Sequence, residues 1–77
     1  MTFVNVEHKE SSAIENISYD AFNSIMRVKY KKVDTYYDFL DVTSNDITDI
    51  SNSESVGKTV HDIVKNKNFI KTAKGDL

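Results

Sequence analysis

Val56-Gly57-Lys58-Thr59 contains the Gly-Lys-Thr that ends a phosphate-binding loop. Such a loop wraps phosphates in several backbone amides and needs another glycine five positions earlier. Asn52 stands there and no strand signal feeds it, so the tetrapeptide reads as the start of a helix. Metal chemistry has little to work with. There is no Cys, and His8 and His61 are far apart, with no ligand spacing such as His-x-x-x-His. Ser11, Ser12 and Ser55 offer hydroxyls, but a nucleophile needs a base to orient it and a donor for the oxyanion. Nothing in the sequence pairs these serines with an imidazole. The expectation is a non-catalytic protein with no cofactor.

Binding chemistry is better supplied. Tyr30, Tyr36, Tyr37 and Phe39 are interleaved with Arg27, Lys29, Lys31 and Lys32. Aromatic rings beside cations on a sheet can stack bases while holding phosphates. Asp34, Asp38 and Asp41 interrupt the same stretch and would repel phosphate. Charge is also uneven along the chain. Residues 1–54 carry five basic and ten acidic side chains, whereas residues 55–77 carry five lysines against two aspartates. A basic end on an acidic body suits an anionic partner or a solvated tail.

The elements that must position these groups follow from periodicity. Ile17 and Tyr19 alternate with Ser18, and Asp20-Ala21-Phe22-Asn23 supplies turn chemistry. In Ser24–Tyr30, Met26, Val28 and Tyr30 face one way while Arg27 and Lys29 face the other, the pattern of a half-buried strand. Lys29 therefore reads as a surface residue. Tyr36–Val42 predicts a third strand, with Tyr37, Phe39 and Asp41 on one face and Tyr36, Asp38, Leu40 and Val42 on the other. Neither face is wholly apolar, and the inward one stays open.

The period then changes. Thr43 or Ser44 can cap a short helix carrying Asp46, Ile47 and Ile50. Ser55 can cap a second one, in which Val56, Val60, Ile63 and Val64 form a single apolar stripe. An ordinary helix would favour Ala at position 57, so Gly57 is expected to let the first turn lie close to the sheet or to a ligand. Phe69 and Ile70 predict either a last strand or a docked arm.

The fold expected is α+β: a three-stranded antiparallel meander covered by two short C-terminal helices. The 77 residues make one domain over 1–77, with a core of about 9–70 and flexible termini. No apolar run is long enough to span a bilayer, and the N-terminus has neither the basic start nor the apolar core of a signal peptide. A cytoplasmic protein that does not bind membranes is expected.

Three patches carry a likeness to a known family. Ser11-Ser12-Ala13-Ile14-Glu15-Asn16-Ile17-Ser18-Tyr19-Asp20 fits Ser-Ser-x-Ile-x-x-Ile-x-Tyr-Asp. Met26, Val28 and Tyr30 fit Leu-x-Val-x-Phe, followed by Tyr37–Val42 at Tyr-x-Tyr-x-x-Val. Ser55-Val56-Gly57-Lys58 fits Ser-x-Gly-Lys/Arg, which opens a helix. In order and spacing the chain resembles a stand-alone KTSC domain, a family named for its place at the C-terminus of some lysyl-tRNA synthetases and found also in bacterial and phage proteins. Three departures stand out: Phe39 replaces the second Tyr, the preceding hairpin lacks a Gly, and no Pro follows Val42.

Two functions are open at this point. One is a small accessory protein acting by protein–protein interaction, of the phage or mobile-element kind, that binds or inhibits a host or bacterial factor through Asp34, Asp38 and Asp41. The other is an RNA-binding module, which the synthetase association of the resembled family implies. It would use Tyr37 and Phe39 for stacking, with Lys58 and the C-terminal lysines holding phosphate, and Ser55 and Gly57 are further candidate binding residues. An RNA binder should gather its lysines on one face.

Overall fold

The structure, a computed structural model, describes residues 2–73. The expected flexible termini fall partly on residues 1 and 74–77, which lie outside the described residues, as does Lys74 of the C-terminal lysines. Seven elements follow in order: β1 (Val4–Asn5), β2 (Ile14–Asp20), β3 (Ile25–Tyr30), β4 (Thr35–Phe39), α1 (Ser44–Ser51), α2 (Val56–Val64) and β5 (Phe69–Ala73). The α+β class stands, and the sheet is larger than expected. It has five antiparallel strands in the order β1-β2-β3-β4-β5, not three. The helices lie between β4 and β5 and are not C-terminal. β1 is two residues long and cannot display a period. β5 realises the strand alternative for Phe69 and Ile70.

One face of the sheet builds the core. Ile17 pairs with Val28 and Val28 with Tyr37, while Tyr19 pairs with Met26 and Met26 with Phe39. Directly opposed residues share a face, so these side chains point together toward the helices. Ile14 and Ile17 are three apart and would face opposite ways in a regular strand. A bulge between Ile14 and Asn16 inserts the extra residue, and both isoleucines become buried. Ile50 of α1 and Val56, Val60 and Val64 of α2 close the core from the other side. The inward face of β4 is the one bearing Tyr37 and Phe39. Regular strand ends at Phe39. Asp41 then takes a left-handed conformation, φ 58°, and turns Val42 into the core. A short polar side chain tolerates that conformation better than most.

The outer face is more tightly organised than its polar composition suggested. Asp38 accepts both Nε and Nη2 of its cross-strand partner Arg27, at 2.8 and 2.9 Å. The guanidinium also lies 4.1 Å from the Phe3 ring centroid. Asp38, whose bidentate bond is the main cause, raises the Arg27 pKa above its ordinary value. Lys29 corrects its expected surface status. Only 3% of it is exposed: it sits between its cross-strand neighbours Asn16 and Tyr36. Its ammonium donates to the Tyr30 carbonyl oxygen at 2.7 Å and lies 3.8 Å from a Glu15 carboxylate oxygen. The aliphatic stem packs while the charge finds an acceptor.

At the β2–β3 turn, Asp20 is 2% exposed. It accepts the backbone N–H groups of Phe22 and Asn23 and the side-chain amide of Asn23. These bonds, the Asn23 side chain first, hold its carboxyl below the usual carboxylate range. No helix among the described residues is long and apolar enough to cross a membrane.

Candidate functional site

The segment before β2 is the hinge of the site. Ser11 Oγ accepts from the N–H groups of Ala13 and Ile14, both at 3.2 Å, and this local bonding draws the chain into a tight entry to the strand. Two cavities flank that entry, and Ser12 and Ala13 line both.

The first cavity, about 560 Å³, is aromatic and is completed by Tyr30, Lys32, Val33 and Tyr37. Tyr30 and Tyr37 meet edge to face with centroids 5.5 Å apart. Burial, more than its neighbour Tyr37, pushes the Tyr30 phenol pKa up. The ring therefore presents as a neutral hydroxyl. Behind Tyr37 stand Phe39 at 6.2 Å and Phe69 at 5.6 Å, and the Lys71 ammonium lies 5.6 Å from the Tyr37 centroid. Tyr37 is thus held in orientation by rings on three sides while part of it stays accessible.

The second cavity, about 420 Å³, is polar. Glu10, Ser11, Glu54, Ser55, Val56, Gly57 and Lys58 complete it, which places it at the first turn of α2. Ser55 occupies the N-cap position but makes no side-chain cap bond. Ser53 organises the turn in its place: its Oγ accepts from the Ser55 N–H at 3.0 Å and lies 2.6 Å from Thr59 Oγ1. With no side-chain cap on the helix, its first N–H groups keep their capacity to donate. They add partial positive charge at the cleft. Lys9 pairs with Glu54 at the rim, so one of the two carboxylates there is neutralised.

A Cβ built on Gly57 would lie 3.5 Å from Ser11 Oγ and 3.9 Å from Ala13 Cβ, ordinary van der Waals contact. Close approach of the helix to the sheet therefore does not require the glycine, contrary to one half of the sequence expectation. What its missing methyl does is widen the cleft.

The residues singled out from sequence divide into three groups. Tyr37, Ser55, Gly57 and Lys58 line the two adjoining cavities. Phe39 is 6% exposed and belongs to the core, which corrects its reading as an open stacking platform. Asp34, Asp38 and Asp41 form no patch. Asp38 is engaged with Arg27 on the outer face, and Asp34 and Asp41 flank opposite ends of β4, on the order of 15–20 Å apart by strand rise. Tyr30 and Lys32 belong to the aromatic–basic stretch and Lys71 to the C-terminal lysines singled out from sequence, and all three lie at the aromatic cavity; the loop at Ser12 was not assigned to a site from sequence. Only the Ser-Ser patch of the family resemblance pointed to that loop. Among the described residues no group of His, Asp and Glu could hold a metal ion.

Comparison with known proteins agrees with this placement of motifs. No curated protein matches the chain. A crystal structure of a KTSC domain protein from Yersinia pestis superposes with a TM-score of 0.75 at 19% identity, covering 94% of this chain and 97% of that one. At this identity the likeness establishes the fold. The family model described as KTSC domain matches residues 10–69, which span the Ser-Ser loop, both tyrosines and the first turn of α2, and on that match the chain belongs to the KTSC domain family.

Proposed function

We propose that this protein is a non-catalytic RNA-binding module, which takes a short single-stranded segment across the two cavities. One base lies against Tyr37 and Tyr30, and the flanking phosphates meet Lys32, Lys58, Lys71 and the uncapped first turn of α2. The observation that carries this reading is convergence. Lysines from the β3–β4 connection, α2 and β5 line or adjoin the cavities beside the accessible tyrosine, the gathering of cations expected of a nucleic-acid binder. Stacking on a ring is tolerant of sequence and phosphate contact is indifferent to it. The module would therefore recognise unpaired RNA more than a base order. Glu10 and the net charge of −2 oppose it, so affinity should be modest and salt-sensitive.

Fluorescence anisotropy with short single-stranded RNA and with tRNA, at low and physiological salt, tests the reading. Tyr37→Ala should lose about 1–3 kcal/mol of binding, while Tyr37→Phe, which keeps the ring, should bind as the parent does. Lys58→Ala should weaken unrelated sequences alike and flatten the salt dependence by roughly one counterion. Absence of saturable binding to either RNA at low salt would sink the proposal.

A further inference from the structure

β5 ends the sheet, and no described strand pairs with its outer edge. The direction of its backbone groups follows from its ladder with β4. Leu40 N–H donates to the Asn68 carbonyl oxygen at 2.9 Å, which makes that pair a hydrogen-bonded one. In an antiparallel ladder such pairs alternate. Ile70 and Thr72, opposite Asp38 and Tyr36, therefore turn their N–H and C=O groups to β4. Phe69, Lys71 and Ala73 turn theirs outward. The result is a row of donors and acceptors that no strand among the described residues meets.

Side chains mark the same edge. Phe69 is 51% and Ile70 56% exposed, and as neighbours in a strand they project from opposite faces. Residues 65–73 carry Lys65, Lys67 and Lys71 and no carboxylate. The other edge, β1, offers two residues and little to pair with.

We propose that the outer edge of β5 docks an extended, acidic segment of a partner protein as an added strand. The partner would place Asp or Glu opposite Lys71 and apolar side chains opposite Phe69 and Ile70. Charge selects this occupant over a second copy of the chain. Edge-to-edge pairing of two β5 strands about Lys71 sets Lys71 against Lys71, and any antiparallel self-pairing aligns two basic runs; like charges directly opposed are destabilising. Lysine on an edge discourages association with like strands, while an acidic strand finds in it a cross-strand partner. Main-chain bonds would supply affinity and the alternating side chains selectivity, as in strand-addition complexes. This site is separate from the RNA reading except for the Lys71 side chain.

The chain is short enough for chemical synthesis, which allows a clean test. N-methylation of the Lys71 amide deletes one outward donor and keeps the side chain and the β4 ladder. The probes are a fluorescein-labelled peptide of alternating Glu and Val and its Lys–Val counterpart. The parent should bind the acidic peptide and not the basic one. N-methylation should weaken that binding by about tenfold or more, and Lys58→Ala, a change on α2 away from this edge, should leave peptide binding unchanged, so the two proposals fail separately. Lys71→Glu should reverse the preference between the peptides, which keeps the test decisive even if the methylated chain folds poorly. Equal binding of both peptides, or an unaffected N-methyl protein, would overturn the proposal. So would a parent that sediments as a dimer dissociated by N-methylation, since a second copy would then occupy the edge.

Discussion

α1 and α2 have nearly the same length, eight and nine residues, and are held in opposite ways. α1 is rich in β-branched and short polar residues, poor helix formers, and is secured at its start by a complete capping box. Thr43 Oγ1 accepts from the Asp46 N–H, and the Asp46 carboxylate accepts from the Thr43 N–H. α2 lacks a side-chain cap and is secured along its length, by burial of Val56, Val60 and Val64. The difference teaches where a helix can spare its N-terminus. A helix anchored by its stripe can leave its first turn open to a cleft, and one anchored by its cap cannot.

The largest effect that could break this contrast is at the stripe. Val60 is 1% exposed, so Val60→Asp buries an uncompensated carboxylate and should cost several kcal/mol in urea melts. A small loss there would mean that α2 is held by something other than its apolar face.

The caps give the next effect. Thr43→Ala should cost about 1 kcal/mol, whereas Ser55→Ala, which deletes no cap bond, should stay within about 0.5 kcal/mol. Equal costs in thermal or urea unfolding would erase the distinction between the two helix starts.

Gly57→Ala sharpens the contrast at the scale of one methyl. The added Cβ meets only ordinary contacts, so the variant should gain about 0.5–1 kcal/mol of stability. The same methyl narrows the cleft, and RNA binding by anisotropy should fall while stability rises. Unchanged binding would remove Gly57 from the site, and lower stability would restore the packing role first expected of it.

Much of this architecture was legible from residue spacing. The alternation of Met26, Val28 and Tyr30 and the stripe at Val56, Val60, Ile63 and Val64 placed the meander and the second helix correctly. The inward face of β4 was not legible, because Asp41 looked like a member of the Tyr37–Phe39 face. The strand stops at Phe39 and a left-handed residue follows, so Asp41 never belonged to it. Lys29 was misread because burial on an outer face depends on neighbouring strands, which no single-strand pattern contains. The cleft shows the same limit. Its parts were visible as separate patches near residues 11, 37 and 57, but their contact is long-range and arises only when the Ser-Ser loop meets α2.

The path of the chain between β4 and β5 has a kinetic consequence. These strands are neighbours in the sheet, yet both helices intervene between them in sequence. β2, β3 and β4 are linked by short turns and can zip together at once, since close contacts cost little loop entropy. β5 pairs with β4 only by closing a loop that contains α1 and α2, so its pairing carries the larger entropy cost. The cleft draws Tyr37 from β4, Lys58 from α2 and an adjoining lysine from β5, so it exists only in the finished molecule. Under the proposed function, binding would therefore report a completed fold: a chain caught partway, with its hairpins formed, lacks the parts of the cleft that α2 and β5 supply.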